Sequence, residues 1–72
     1  MGYLELKRWD NEKVIHSGEF DSMKDLVEDA VRKGISLEWA DLYGANLYGV
    51  DLYGVDLRKA DLYKANLEGV LR

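Results

Sequence analysis

The chain has 72 residues, a net charge of −4 and no cysteine. A domain of this size buries only about 60% of the surface of its unfolded chain, so its fold needs caps or partners, and disulfides are excluded as support. The acidic balance argues against direct nucleic-acid binding, and no apolar run reaches the roughly 18–20 residues of a membrane span. We therefore expect one soluble domain over residues 1–72.

The first segment alternates apolar and polar residues from Tyr3 to Trp9, which is typical of a half-buried β-strand. Residues 10–12 read Asp-Asn-Glu, and Asp and Asn favour turns because their side chains bond nearby backbone groups. A second short strand follows from Lys13 to His16. The sequence therefore predicts a β-hairpin.

The next segment carries helix signals at both ends. Asp21 or Ser22 can cap its N-terminus, and Gly34 follows two basic residues, as is usual just beyond a helix C-terminus. One helical face is apolar, with Met23, Leu26, Val27, Ala30 and Val31. Residues 1–34 are thus predicted to be a hairpin followed by one α-helix.

From Ile35 onward the sequence repeats every five residues. The position two before each central leucine is Ala, Val or Ile, and the position between them is Asp or Asn in six of seven repeats. This period matches neither the 3.6 of a helix nor the 2.0 of a strand, so the segment is an internal repeat. The central residues are Leu37, Leu42, Leu47, Leu52, Leu57, Leu62 and Leu67.

The consensus Ala-(Asp/Asn)-Leu-x-x over residues 35–69 resembles that of the pentapeptide-repeat family. The resemblance implies a mainly β fold, in which residues 35–72 form a short right-handed quadrilateral β-helix with four repeats per coil and under two coils. The seven leucines would line its core. The hairpin and helix of residues 1–34 would cap the first coil, as in small phage and bacterial members of the family.

Four repeats per coil would place residues twenty apart beside one another. The expected neighbours are Tyr43 with Tyr63, Glu38 with Arg58, and Trp39 with Lys59. The Asp and Asn side chains are expected to bond backbone groups at the corners. At the C-terminal end Leu71 and Arg72 break the pattern, so we expect them either to fold over the last coil or to form a homodimer contact there.

Catalytic chemistry is not indicated. His16 is the only histidine, so neither a catalytic triad nor a metal cluster can be assembled. The two glycines Gly44 and Gly49 lack the Lys-Ser/Thr of a phosphate-binding loop. We expect no catalytic residue, no cofactor and no metal, and hence a protein that is not an enzyme.

Two sets of surface residues are candidates for partner binding. The first set follows core leucines and should face solvent: Tyr43, Tyr48, Tyr53 and Tyr63. Tyrosine suits exposed strand positions in general, but it is also enriched at interface hot spots. The second set is acidic and comprises Asp21, Asp25, Glu28, Asp29, Asp41, Asp51 and Asp56.

Two functions follow as hypotheses. Family members that protect DNA gyrase are described as duplex mimics, and small acidic phage proteins block restriction or CRISPR enzymes. The resemblance thus implies a small acidic inhibitor of a DNA- or RNA-handling protein in the bacterial cytoplasm. Residues 35–72 hold six acidic and four basic residues, a net charge of −2. A DNA duplex as long as this β-helix carries roughly five negative charges. The acidic residues of the helix would therefore have to contribute. The alternative is a structural or adaptor module that binds a protein through its tyrosines, with no nucleic-acid link.

Overall fold

The computed structural model describes residues 2–72. Its elements in chain order are strand β1 (Gly2–Lys7), strand β2 (Val14–Phe20) and helix α1 (Met23–Arg32). The two strands form an antiparallel sheet, as predicted. Residues 35–72 form successive turns joined by isolated β-bridges. Within residues 2–72, no helix has both the length and the apolar character needed to cross a bilayer.

The hairpin is longer than the sequence predicted. Gly2 pairs with Phe20 and Leu6 pairs with His16, with a bulge between Leu6 and Lys7. The predicted end of the second strand at His16 is therefore wrong by four residues. Ser17 and Gly18 are poor strand formers in isolation, but β1 supplies hydrogen-bonding partners along the whole of β2.

Both ends of α1 are fixed by local hydrogen bonds. Ser22, with extended backbone angles, is the N-cap, and its hydroxyl accepts the N–H of Asp25 at 3.2 Å. At the other end Gly34 has φ +72°. The N–H of Gly34 donates to the carbonyl of Val31, and the next N–H donates to that of Ala30. This pair of bonds is a Schellman motif, so the predicted helix end is confirmed.

The chain from residue 35 returns beside itself every twenty residues. Parallel bridges join Asp41 to Asp61, Asn46 to Asn66, and Asp51 to Leu71. Twenty residues are four pentapeptides, so each bridge joins equivalent positions of a β-helix-like winding. We call residues 35–54 the first coil and residues 55–72 the second coil. Leu71 keeps this register and does not fold over the end, because backbone pairing does not require the Asp or Asn side chain it lacks.

Each pentapeptide makes the same turn. The N–H three residues after the leucine donates to the leucine carbonyl, as in Ala40 to Leu37 at 3.0 Å. The Asp or Asn before the leucine accepts the N–H two residues further on, as Asp41 does from Tyr43 at 3.2 Å. Ser36 does the same in the first repeat. The consensus residues therefore give the backbone N–H groups at every corner a hydrogen-bond acceptor.

The second residue after each leucine adopts a positive φ, as a type II turn requires. Four of these positions are glycine, at Gly44, Gly49, Gly54 and Gly69. The other three are Trp39 (φ +66°), Lys59 (φ +64°) and Lys64 (φ +61°). A left-handed conformation costs an L-residue about 1–2 kcal/mol, so these three side chains are held at strained corners.

One hydrophobic core joins the leader to the first coil. Leu6 of β1 and Leu26, Val27 and Ala30 of α1 are fully buried in the same cluster as Leu37, Ala40, Leu42, Leu47, Val50 and Leu52. The leucines of the second coil, Leu57, Leu62 and Leu67, pack against this cluster but are only partly buried. Four of the seven predicted core leucines are therefore fully buried, and the other three face the same core but are less covered, because within residues 2–72 no further coil lies over them.

The hairpin also pairs directly with the first coil. Residues 7–9 run antiparallel to residues 39–41. The N–H of Asp41 donates to the hairpin at 2.8 Å, and the N–H of Trp9 donates to the coil at 3.0 Å. The leader therefore covers the first coil with backbone hydrogen bonds as well as apolar side chains, which satisfies an edge that would otherwise be open.

Glycine at a strained corner should stabilise the protein. We expect Lys64→Gly to raise the free energy of unfolding by about 0.5–1 kcal/mol, because glycine adopts positive φ without steric cost. Urea unfolding at neutral pH measures the change. Lys64→Gln is the matched control, since it removes the same charge while keeping the strain, and it should give no gain. Gly54→Ala, whose new methyl group would meet open space, should cost about 1 kcal/mol. A Lys64→Gly variant no more stable than Lys64→Gln would contradict the strain argument.

Candidate partner-binding surfaces

The four tyrosines are exposed to solvent. The exposed fraction is 54% for Tyr43, 53% for Tyr48, 77% for Tyr53 and 66% for Tyr63. Their hydroxyls form no hydrogen bond within residues 2–72. Each follows a leucine at a corner, so the turn that buries the leucine also turns the tyrosine outward.

Only two of these tyrosines are in contact. The ring centroids of Tyr43 and Tyr63 lie 5.8 Å apart with planes 33° from parallel, so the expected neighbours are confirmed. The ammonium of Lys64 lies 5.8 Å from the centroid of Tyr63. Tyr48 and Tyr53 belong to the two following corners of the first coil. The tyrosines therefore form one aromatic pair and two separate side chains, and not a continuous patch.

The two tryptophans lie at the junction of hairpin and coils. The rings of Trp9 and Trp39 are 5.1 Å apart. The guanidinium of Arg8 lies 5.4 Å from the centroid of Trp39. Among the described residues this is the cation over Trp39, so the expected cation–π contact with Lys59 is replaced by one with Arg8. The N–H of Trp39 still donates to the carbonyl of Arg58, so the expected register of residues 39 and 59 is kept. The hairpin brings residues 7–9 onto this corner, and Lys59 instead accepts the Trp9 indole N–H at its carbonyl, at 2.6 Å.

Asp29 of the acidic set is held in an ion-pair network. Its carboxylate contacts His16 at 2.7 Å, Lys33 at 3.0 Å and Arg32 at 3.1 Å. The hydrogen bond from His16, and then that from Lys33, lowers the pKa of Asp29 from 3.8 to about 2. The network ties α1 to β2. The charge of Asp29 is therefore neutralised by neighbours and poorly placed to meet a partner.

Asp56 is likewise engaged. Its carboxylate binds the guanidinium of Arg58 at 2.8 Å, and this hydrogen bond lowers the pKa of Asp56 from 3.8 to about 2. The expected contact between Glu38 and Arg58 is present but longer, at 3.8 Å. Arg58 therefore pairs mainly within its own repeat, because Asp56 already faces the same turn.

The remaining acidic candidates fall into two groups. Asp41 and Asp51 are exposed, and each uses one carboxylate oxygen to accept a backbone N–H, at 3.2 and 3.0 Å. Asp25 and Glu28 are partly buried on α1 and form no ion pair within residues 2–72. Asp21 lies just before the helix and is exposed. The structure thus divides the predicted acidic strip into locally bound carboxylates and a smaller group on the helix.

The repeated turn and its twenty-residue register identify the family. Comparison with profiles of known families matches residues 34–71, more than half of the chain, to eight copies of Pentapeptide repeats. The chain belongs to the pentapeptide-repeat family. The profile counts eight copies, where the leucine pattern of residues 35–69 predicts seven. A search of curated proteins and a search of solved structures each find no match.

This pentapeptide-repeat protein has a small cleft beside the end of α1. Its volume is about 200 Å³. It is lined by Val31, Gly34, Ile35, Ser36, Tyr53, Gly54, Val55 and Asp56. The carboxylate at its rim is the one bound by Arg58. Within residues 2–72 no three His, Cys, Asp or Glu side chains gather as a metal site.

The Asp29 network should make stability fall in acid. Its folded-state pKa of about 2 lies below the ordinary 3.8, so the contribution is complete above about pH 4 and is lost as the pH falls toward 2. We expect Asp29→Asn to lower the unfolding free energy at pH 5 and to lose less of it between pH 4 and pH 2 than the wild type. Urea unfolding at several pH values measures this. Asp56→Asn, which removes the other carboxylate whose pKa is lowered to about 2, is the matched control. Parallel pH profiles for Asp29→Asn and the wild type would refute the assignment.

Proposed function

We propose that this protein is a non-catalytic binding module whose protein partner contacts the pair formed by Tyr43 and Tyr63. The observation that carries the proposal is the stacking of two exposed tyrosines with unbonded hydroxyls. Such a pair offers apolar ring surface and polar groups at low entropic cost, which is why tyrosine is common in hot spots. Lys64 adds a cation beside the pair.

We further propose that the repeats form a right-handed quadrilateral β-helix of under two coils, and that it serves as a rigid scaffold. The twenty-residue register and the identical turn of each pentapeptide support this geometry. Each corner closes its own hydrogen bonds, so the outward side chains are fixed relative to one another. A fixed surface lowers the entropy lost when a partner binds.

Removing the tyrosine pair should abolish partner capture. The wild type is used to capture its partner from a bacterial lysate. We expect the double variant Tyr43→Ala, Tyr63→Ala to capture about tenfold less of this partner, because it loses a binding hot spot. Mass spectrometry identifies the captured protein and immunoblotting quantifies it. Because both side chains are exposed, circular dichroism should show an unchanged fold.

Tyr3→Ala provides the matched control, since Tyr3 is 61% exposed on the hairpin, away from the repeats. It should leave capture unchanged. Equal capture by the double variant and by this control would reject the tyrosine pair as the binding site.

A second candidate function is inhibition of a DNA- or RNA-handling protein by an acidic surface that mimics nucleic acid, in a bacterial host cell. The observation that favours it is the pair Asp25 and Glu28, which lacks ion-pair partners within the described residues, in a chain of net charge −4. Asp29 and Asp56 contribute little to it, because bound cations cancel their charge.

Charge reversal on α1 tests this second function. We expect Asp25→Lys with Glu28→Lys to abolish inhibition of a DNA-handling target if mimicry operates, and binding to weaken steeply between 50 and 300 mM salt, since exposed charges are screened over roughly 10 Å. Asp29 is kept, because its reversal would break the network that ties α1 to β2. The control variant reverses Glu12 and Glu19 on the hairpin, which changes the net charge by the same amount. Binding that is unaffected by salt and by the reversal of Asp25 and Glu28 favours the tyrosine pair instead.

A further inference from the structure

The hydrogen bonds between the two coils run mainly in one direction. The first coil donates to carbonyls of the second from Leu37, Trp39, Leu42, Gly44, Leu47, Gly49 and Leu52. The second coil donates in return only from Asp61, Asn66 and Leu71. Each full side of the first coil thus presents two N–H donors and one carbonyl acceptor to the coil that follows it.

By the repeat, the second coil presents the same groups at its outer edge, where nothing within residues 2–72 pairs with them. By the repeat, its outward donors are the N–H groups of Leu57, Lys59, Leu62, Lys64, Leu67 and Gly69, and its outward acceptors are the carbonyls of Ala60, Ala65 and Val70. None of these groups has a hydrogen-bond partner within residues 2–72. The open end is therefore rich in donors and has a positive local potential.

The side-chain charges reinforce this polarity. The first coil carries Glu38, Asp41 and Asp51 and no basic residue. The second coil carries all four basic residues of the repeats, Arg58, Lys59, Lys64 and Arg72, against Asp56, Asp61 and Glu68. Two of these cations, Lys59 and Lys64, stand at corners beside the unpaired N–H groups. Backbone donors and ammonium groups thus favour the same anionic ligand.

One side of the winding already behaves as a small sheet. Residues 7–9 pair with residues 39–41, which pair in turn with residues 60–62. The hairpin closes the first edge of this sheet, and the second edge is open. We call residues 57–64 the open edge. Its two corners are Lys59 and Lys64, and the partly buried Leu62 lies between them.

We propose that the open edge binds an extended segment of a partner protein in which carboxylate side chains alternate with apolar ones, added as a further β-strand. The backbone of such a strand pairs with the carbonyl of Ala60 and the N–H of Leu62. The corner donors are the N–H groups of Lys59 and Lys64, which lie beside the two ammonium groups. Carboxylate side chains of the segment accept hydrogen bonds there and pair with both cations. Apolar side chains of the segment then cover Leu62.

A second copy of this chain fits the same end less well. In a twofold contact the open end of one copy meets the open end of the other. The six N–H donors of each end then face only three carbonyl acceptors of the other end, so half of the donors stay unpaired. Like charges also face each other. A head-to-tail contact is blocked, because the hairpin covers the edge at residues 39–41.

The inference does not depend on partner binding by Tyr43 and Tyr63, and a designed peptide tests it without knowledge of the natural partner. The probe is a capped heptapeptide in which glutamate alternates with valine, titrated into the isotopically labelled full chain at low salt. We expect the amide signals of Leu57, Lys59, Leu62 and Lys64 to shift and those of α1 to stay. A glutamine–valine peptide and a glutamate–valine peptide N-methylated at alternate residues should each bind at least roughly tenfold more weakly, since they lack the charge and the strand pairing respectively.

Glycine variants separate binding from folding. Lys59→Gly with Lys64→Gly removes both corner cations while relieving strain, so the fold is preserved, and the peptide should bind at least roughly tenfold more weakly. Lys13→Gln with Lys24→Gln removes two lysines elsewhere and should leave binding unchanged. Equal binding of the glutamate and glutamine peptides, or shifts confined to residues outside 57–64, would overturn the proposal. So would a homodimer in sedimentation that excludes the peptide.

Discussion

A backbone that turns every five residues must satisfy its hydrogen-bonding groups at each turn, and the rest of this structure depends on how that is done. The leucine carbonyl accepts the N–H that begins the next repeat, and the Asp or Asn side chain accepts the N–H inside the corner. Because these bonds are local, every corner has the same shape. Identical corners stack in register, and stacking brings the leucines together in the interior.

Stacking creates two ends, and the protein treats them differently. At one end the hairpin and α1 supply both hydrogen-bonding partners and apolar side chains, so the first-coil leucines are fully buried. At the other end the same groups of the second coil have no hydrogen-bond partner within residues 2–72. Since each coil donates more bonds forward than backward, the two ends differ in polarity as well as in exposure. One hydrogen-bonding pattern thus gives a covered end and a donor-rich open end, and the four basic side chains of the second coil add positive charge to the open end.

The acidic residues show why net charge alone says little about binding. Asp29 contacts His16, Arg32 and Lys33, Asp56 pairs with Arg58, and Asp41 and Asp51 bond the backbone. Each of these carboxylates therefore has a structural role. The tyrosines have none of this kind, since their hydroxyls are unbonded and their rings are exposed. Side chains without a structural role are the stronger candidates for contact with a partner.

The sequence alone determined what depends on local chemistry. The five-residue period, the capped helix and the Asp and Asn corner bonds follow from spacing and residue type. The pairing of Tyr43 with Tyr63 follows only once the family resemblance supplies four repeats per coil. Only the tertiary structure decided what depends on distant segments. It extended β2 to Phe20, placed Arg8 over Trp39, left the second-coil leucines partly buried and bound Asp29 to cations. Each of these outcomes depends on which segment packs against which, and short-range patterns do not encode the surface that a distant segment presents.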